Sequence, residues 1–573
     1  MRINSEERCF HANVFECSML TAFLKSAKSL LPISMRAPSA ASVPLIPPSS
    51  TAYTAFSVVQ TRQDPDSKAS ASALRDAPVL KNGNVAKGQC GHDTYKGISL
   101  LGKGGFGEIY QGFSSRTQEP FALKRQMVVQ EADANVHDPR KLLQLQLKRM
   151  RGLMRETAIY FSSTLNVATS RHLARIHDVV LVANSAGSNE PLLVFEYADA
   201  PKYNTLSAWV KHYPNVGTGP DDLKMRLSFA IQMFSGLWEL HYGSPVERLH
   251  EQQQWAQVLQ SVMPPETAQQ LVAGKQSIHQ VLDALGSHYH KGKIPQNLAD
   301  ALRAVPVQPL YAHQDMKGAN MLLFGRGHST RLALTDFGLT AQYNGIHVPA
   351  IHGGTLKYMA PEQWQQQSAF TPKRDIWSAG LILAQIFGGR STKAKLKTYQ
   401  SFCQKSSTNL AQCVRHLTQH ANAISNAMML DAREFPWRKS LSILLQRCLV
   451  QESERYTAFQ CKDALVRVWS ELFPSTPWEK YEKNLKPPKI APCAAEWNGY
   501  DREAMSYTIS RHMMNLMLER CEEAARIAPA DFGITIRQAQ KELRDQLNNI
   551  TLLELSCSAK SRQVRWNADS DNS

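Results

Sequence analysis

The chain has 573 residues, 43% of them hydrophobic, which is too apolar for a disordered polyampholyte and enough for a two-part domain plus one further folded unit. Its formal net charge of +16 is spread along the chain rather than gathered in one tract, so no polyanion-binding tail and no nucleic-acid partner are expected. The ten Cys show no C-x-x-C pairing, which argues against a zinc site or disulfide framework, and Glu16, Lys25 and Lys28 interrupt the most apolar early stretch well short of a membrane span.

Residues 1–92 are rich in Ser, Ala and Pro, with Pro47, Pro48, Ser49 and Ser50 near the middle, and lack sustained periodicity, which predicts a disordered arm. Glu6 and Glu7 make a poor opening for a cleaved secretory signal, so a soluble, cytoplasmic protein is expected. From about Tyr95 the pattern changes to short apolar runs bounded by glycines, which predict strands over Ile98 to Leu101, Glu108 to Phe113 and Pro120 to Lys124. A helical pattern covers about Pro139 to Thr164; its basic residues Arg140, Lys141, Lys148, Arg149, Arg151 and Arg155 read as a solvated face, with an acidic partner as the alternative.

Two more strand-like runs, Ala174 to Ala183 and Pro191 to Tyr197, precede a mainly helical region from Leu223 onward. Strands first and helices afterwards, without alternation, indicate an α+β domain with a sheet-rich small lobe (93–197), a helical large lobe (198–470) and a ligand cleft between them. The Pro-rich stretch from Lys486 to Pro492 reads as a linker within a C-terminal extension (471–573), whose residues Asp501 to Leu555 are expected to form several amphipathic helices.

Several residue groups carry chemistry. Gly102-Lys103-Gly104-Gly105-Phe106-Gly107 follows a strand-like run with G-x-G-x-x-G spacing; missing Cβ atoms let backbone N–H groups approach phosphate oxygens, although such a turn also serves simply to make a hairpin. Lys124 sits on a buried-looking run, where a lone charge needs partners. Glu156, the Glu of the following helical pattern, is the candidate partner, and a surface pair with Arg155 is the competing reading. Further on stand His313-Gln314-Asp315-Met316-Lys317-Gly318-Ala319-Asn320, then Thr335-Asp336-Phe337-Gly338, then Met359-Ala360-Pro361-Glu362.

In this order and spacing, residues from about Tyr95 to Trp469 resemble the eukaryotic-type serine/threonine protein kinases. The resemblance implies a two-lobed protein-kinase-like fold, ATP and Mg²⁺ as cofactors, and a protein substrate. By position, Asp315 resembles the catalytic base, Lys317 the γ-phosphate contact, Lys124 with Glu156 the ion pair at the phosphates, and Asn320 and Asp336 the metal ligands. Phe195 resembles the residue that closes the pocket behind the nucleotide, and the backbone of Glu196, Tyr197 and Ala198 the hinge that binds adenine. Ile109, Ala122 and Leu322 complete the nucleotide-binding set with the glycine-rich loop. Glu362 with Arg455 resembles a buried structural pair, and Asp375 to Gly380 the central helix of the large lobe.

Three departures stand out. Gln314 occupies a place where regulated kinases carry Arg, and a neutral amide cannot form a charge-assisted pair with a phosphorylated loop. Activity independent of activation-loop phosphorylation is therefore expected, although Thr340, Tyr343 and Thr355 are at hand; Thr355 reads as the structural Thr of Gly354 to Tyr358. Residues 242–310 exceed the usual connection and predict an inserted helical hairpin, and the segment from Gly389 to Arg447 fits the family pattern poorly. The arm ahead of a divergent kinase also resembles effectors that Gram-negative bacteria inject into host cells by type III secretion, in which case the substrate is a host protein; an ordinary cytosolic kinase with an unstructured arm is the alternative.

Overall fold

The computed structural model describes residues 86–87, 93–104, 107–125, most of 147–161, 170–183, 189–200, 203–217, 220–242, 311–342, 354–364, 371–405, 410–431, 437–489, 499–527 and 530–570. The expected insertion beyond residue 242, nearly all of the N-terminal arm, and Gly105 and Phe106 lie outside these residues.

Strands β1 (Ala86–Lys87), β2 (Thr94–Gly104), β3 (Gly107–Ser114), β4 (Pro120–Arg125), β5 (Ile176–Ala183) and β6 (Asn189–Glu196) form one antiparallel sheet in the order β1-β2-β3-β4-β6-β5. Ordered pairing therefore begins earlier than the arm boundary expected near residue 92, because Ala86 and Lys87 pair with Tyr95 and Thr94. The period-two alternation of strands sorts the side chains. Tyr110, Phe121, Leu123, Leu192 and Val194 gather in one apolar cluster, while Leu193 and Phe195 join the main core. Lys124, which pairs with Leu193, shares the main-core face. Helical residues 152–154 and 156–160 supply Leu153, Met154, Ile159 and Tyr160 to that core.

After β6 the chain becomes helical: α1 (Leu206–His212), α2 (Pro220–Tyr242), α3 (Lys373–Phe387), α4 (Arg390–Lys405), α5 (Leu410–Asp431), α6 (Trp437–Cys448), α7 (Ala458–Leu472) and α8 (Trp478–Lys483). Between α2 and α3 lie two small antiparallel pairs, β7 (Tyr311–Ala312) with β10 (Ala341–Gln342) and β8 (Met321–Phe324) with β9 (Arg331–Leu334). Helix α3 is buried almost all round, as expected of a helix at the centre of a core rather than on its surface. Its Gly380 admits α6 so closely that a Cβ there would stand 2.7 Å from Cys448 Cβ.

Arg226, fully buried on α2, is satisfied on every side. It donates to Asp222 Oδ2 at 2.9 Å, Ile386 O at 2.6 Å, Tyr213 O at 2.7 Å and Asn215 O at 2.8 Å, and stacks over Trp209. Four acceptors offset the cost of taking a guanidinium out of water. The Glu362–Arg455 pair is formed, at 2.5 and 3.1 Å.

The packing does not stop at residue 470. Trp478 and Tyr481 stack around Trp469, at 5.2 and 4.6 Å between centroids, and Leu485 is buried in the same core. Beyond it the expected several helices are two long ones, α9 (Gly499–Ile527) and α10 (Ala530–Ser570). Pro529, the one proline between residues 499 and 570, falls at their junction, so each segment runs on without a breaker. The two helices pack on each other, and α9 packs on β6.

Candidate active site

Lys124 is buried at the end of β4, and its ammonium donates to both Glu156 oxygens, at 2.8 and 2.6 Å, and to Asp336 Oδ1 at 3.1 Å. The surface pairing of Glu156 with Arg155 is thus displaced, because Glu156 is itself 2% exposed and faces Lys124. Burial pushes the Lys124 ammonium down, but the Asp336 and Glu156 carboxylates outweigh it and hold the group above its ordinary value. Burial also lifts Glu156, more than Lys124 lowers it. Asp336 is held below the ordinary carboxylate value, since Lys124 overcomes the opposing effect of burial.

A run of aromatic rings ties the sheet region to the residues around Asp315. Phe195 lies 5.0 Å from Tyr160, Tyr160 lies 5.1 Å from Phe337, and Phe337 lies 5.5 Å from His313. Edge-on and tilted contacts of this kind add to the area that each ring buries. Tyr160 follows Glu156 by one helical turn, so one helix face carries both the Lys124 partner and the ring that stacks on Phe337. With its neighbour Phe337 wedged in the core, Asp336 takes a left-handed backbone, φ 66° and ψ 67°, that aspartate rarely adopts.

The loop 313–320 hangs from Asp375 in the first turn of α3. Asp375 Oδ2 accepts from His313 N at 2.7 Å and Oδ1 from Gln314 N at 2.8 Å, while His241 Nε2 closes on Oδ2 at 2.8 Å. Gln314 thereby holds φ +65°, and Gly354 packs beside it at φ +115°, where a Cβ would stand 2.8 Å from Gln314 O. Asp315 Oδ2 accepts from Lys317 Nζ at 2.5 Å and from Asn320 Nδ2 at 3.3 Å; Oδ1 accepts from Thr355 Oγ1 at 2.8 Å. Both carboxylate oxygens are therefore aimed. Thr335 N donates to Asn320 O at 3.0 Å and its carbonyl contacts His313 Nε2 at 3.0 Å, which brings Asp336 beside this loop.

The remaining candidates lie on β2 to β4 and around Ala198 and β8. Gly102 pairs with Ile109 and Gly104 with Gly107, so the glycine-rich segment closes a tight β2–β3 hairpin, with Lys103 opposite Glu108. Ile109 in turn pairs with Lys124, and Ala122 pairs with Phe195. Ala198 packs with Phe324 and Ala333, and Leu322 packs against that group. The Glu196 carboxylate is buried on Arg331, Nη2 to Oε2 at 2.5 Å.

Among the described residues no group of three or more His, Cys, Asp and Glu is close enough to hold a metal ion by itself. The donor set still fits Mg²⁺ bound jointly with phosphates. Asn320 spends its amide N–H on Asp315 O at 2.9 Å, which leaves its carbonyl oxygen, and Asp336 is a charged carboxylate. Phosphate oxygens and water would complete such a shell. A cavity of 520 Å³ lined by Tyr203, Trp209, Tyr213, Met225 and Phe229 lies apart from the candidate residues and includes none of them.

Sequence reasoning missed the orienting contacts. Asp375 was read only as part of a central helix, Tyr160 was not singled out, and Arg331 offered no signal beyond being an arginine in an apolar strand. Thr355, expected to be structural, donates to Asp315 Oδ1.

The protein kinase domain model matches residues 269–466, which take in the 313–320 loop, Asp336 and α3 but leave out the sheet region. The serine/threonine-protein kinase CHK1 of Saccharomyces cerevisiae is 33% identical over 101 residues, covering 17% of this chain and 19% of its own. The CBL-interacting serine/threonine-protein kinase 24 of Arabidopsis thaliana is 35% identical over 109 residues, 18% of this chain and 24% of its own. An inactive leucine-rich repeat receptor-like serine/threonine-protein kinase of the same plant is 25% identical over 163 residues, 28% of this chain and 23% of its own. The chain thus spans about a quarter or less of the length of these relatives. No helix among the described residues is long and apolar enough to cross a membrane. The domain match and the serine/threonine kinase relatives, each over part of the chain, are similarities to eukaryotic-type protein kinases.

Proposed function

We propose that this protein transfers the γ-phosphoryl group of Mg-ATP to Ser or Thr hydroxyls of protein substrates. The observation that carries the reading is the buried Lys124 ammonium, gripped by Glu156 and Asp336, together with an Asp315 whose two oxygens are aimed by Lys317, Asn320 and Thr355. A scaffold that only binds has no use for an oriented carboxylate beside the ion pair. One of the relatives is named inactive, so likeness alone does not decide turnover, and the geometry favours it.

When bound, Mg²⁺ neutralises phosphate oxygens and lowers the charge barrier to attack. Lys124 holds phosphate oxygens by charge, and Glu156 keeps its ammonium in place. Asn320 and Asp336 would hold the metal. Asp315 accepts the hydrogen bond of the incoming hydroxyl and takes its proton, with Thr355 keeping Oδ1 aimed. Lys317, on the other Asp315 oxygen, is placed to meet the transferred phosphate. The Lys317–Asp315–Thr355 contacts support a serine or threonine acceptor.

Independence from activation-loop phosphorylation belongs to the same reading. Gln314 is buried, and its Nε2 meets no acceptor among the described residues, whereas its backbone is held by Asp375 without a phosphate. Thr340 is buried, its hydroxyl meeting no partner among the described residues, and the Thr355 hydroxyl is engaged with Asp315. The resemblance of the arm to an export signal, with a host protein as substrate, concerns residues outside the described ones; fusing the first few tens of residues to a reporter tests it by export.

The function is tested with γ-labelled and α-labelled ATP, a generic protein substrate and phosphoamino-acid identification. Label from the γ position on Ser or Thr is expected. Label from the α position would mean adenylate transfer, and binding without transfer a scaffold.

A further inference from the structure

Residues 485–489, the described part of the stretch whose prolines predict a linker, make contacts at both ends. Leu485 is buried in the core, and Lys486 N donates to Ser329 O at 2.7 Å. The Lys486 ammonium pairs with Asp199, whose other oxygen accepts from Gly325 N at 2.9 Å. Burial alone would lift the Asp199 carboxyl; Lys486 and Gly325 outweigh it and hold it below its ordinary value. Three residues on, the chain has crossed to the sheet. Lys489 N donates to Glu196 Oε1 at 3.4 Å, its ammonium stands 3.2 Å from Glu119 and 5.0 Å over the Phe121 ring.

Glu196 is the hub of this crossing. It ends β6, so it is the last residue of the sheet before the chain passes to the helical region. Its carboxylate is gripped by Arg331 of β9 on one side and touched by the Lys489 backbone on the other. Arg331 in turn stacks on Phe324 at 4.1 Å and donates to Arg171 O at 3.1 Å, and Arg171 donates to Glu482 O of α8 at 2.6 Å. A second strand of contacts therefore runs parallel to the covalent connection from 196 to 200, with one foot at Asp199 and the other at Glu119 and Phe121.

We propose that residues 482–489 form a strap that fixes the hinge and sets the opening of the nucleotide cleft, with Lys489 and Lys486 as positioning residues. The inference rests on the reading of that cleft as the Mg-ATP site. A cleft held near its bound opening loses less freedom when nucleotide binds, so the strap acts on affinity for ATP and not on the transfer step. Both ion pairs are partly exposed, with side-chain exposures of 23% and 50% for Lys489 and Glu119, so their individual effects are modest and sensitive to salt.

The test uses the full chain in wild-type form, as Lys489→Glu, and as the swap Lys489→Glu with Glu119→Lys, at low salt. Mg-ATP affinity is measured by calorimetry, KM for ATP and kcat by transfer assay, and the thermal midpoint alongside. Lys489→Glu is expected to weaken nucleotide affinity and raise KM about five-fold with kcat unchanged, and the swap to recover to within about two-fold. Lys486→Glu, which leaves the Gly325 contact of Asp199 in place, repeats the test at the other foot and is likewise expected to raise KM for ATP with kcat unchanged. A lowered thermal midpoint with unchanged KM, or a swap that fails to restore affinity, overturns the strap while leaving the nucleotide site standing. Wild-type protein that binds no Mg-ATP overturns the nucleotide reading, and the strap's role in it as well.

Discussion

Lys124 meets two carboxylates where one would neutralise it, and the excess has a use. A site built for a single ion pair would be complete without ligand; a surplus negative charge at Asp336 leaves room for a divalent cation. Lys124→Ala and Asp336→Ala are each expected to abolish phosphoryl transfer in a γ-labelled ATP assay, by removing the phosphate grip and a metal ligand. Asp315→Asn keeps the shape but turns one of the two acceptor oxygens into a donor and accepts no proton. It should lower kcat at least about 100-fold with little change in KM for ATP, a split that steady-state kinetics would resolve. Unchanged rates in all three variants would end the active-kinase reading. Thr340→Ala and Tyr343→Phe, in contrast, are expected to leave kcat within about two-fold of wild type, because the loop is held by Asp375 rather than by a phosphate. Strong activation on phosphorylating Thr340, Tyr343 or Thr355 would contradict that.

Among the elements, α3 bears on the chemistry most, although it touches no candidate ligand. Its Asp375 accepts two backbone N–H groups and His241 in a buried site, so the helix sets the path of the 313–320 loop. Asp375→Asn turns one acceptor oxygen into a donor facing N–H groups. The expected result is a kcat loss of about ten-fold or more, with a reduced thermal midpoint and ATP affinity largely kept; full activity would show that the loop holds its path unaided. Element types were legible where side-chain period spoke: β3, β4, β5 and β6 fall on the apolar runs, and α2 on the helical pattern from Leu223. The candidate residues that the structure gathers around Lys124 and Asp315 were legible as short motifs whose order resembles a known family. Arg331 with Glu196 was not, since the partners are 135 residues apart and neither neighbourhood announces the other. Lys486 to Lys489 was misread for a related reason: prolines describe local backbone stiffness, whereas the contacts that bind this stretch are tertiary.

At the scale of the whole molecule, the sheet buries His177 and the C-terminal helix pair partly covers His512. His177 on β5 stacks against Phe121 at 4.3 Å, and burial first, with Lys489 next, pushes its imidazole down to about 4 against the pull of Asp93 and Glu119. His512 on α9 is pushed down to about 4 by burial and by Arg511, against Glu554. In the unfolded chain both would titrate near the ordinary value of 6.5. Between these values the unfolded state binds more protons, so stability is full above the ordinary value and falls as pH drops towards 4. Glu156 and Glu239, lifted by burial, act in the opposite sense as pH falls through their raised values, so the variants below are needed to separate the imidazoles from them. The His177 contribution is of order 2–3 kcal/mol at its lower end. Denaturant unfolding at a series of pH values should therefore show a loss of stability below neutrality that His177→Phe, which keeps an aromatic ring against Phe121 without a titrating group, reduces markedly. The double variant with His512→Phe should flatten it further. An acid loss as steep in the double variant as in the wild type would mean that neither buried imidazole governs it.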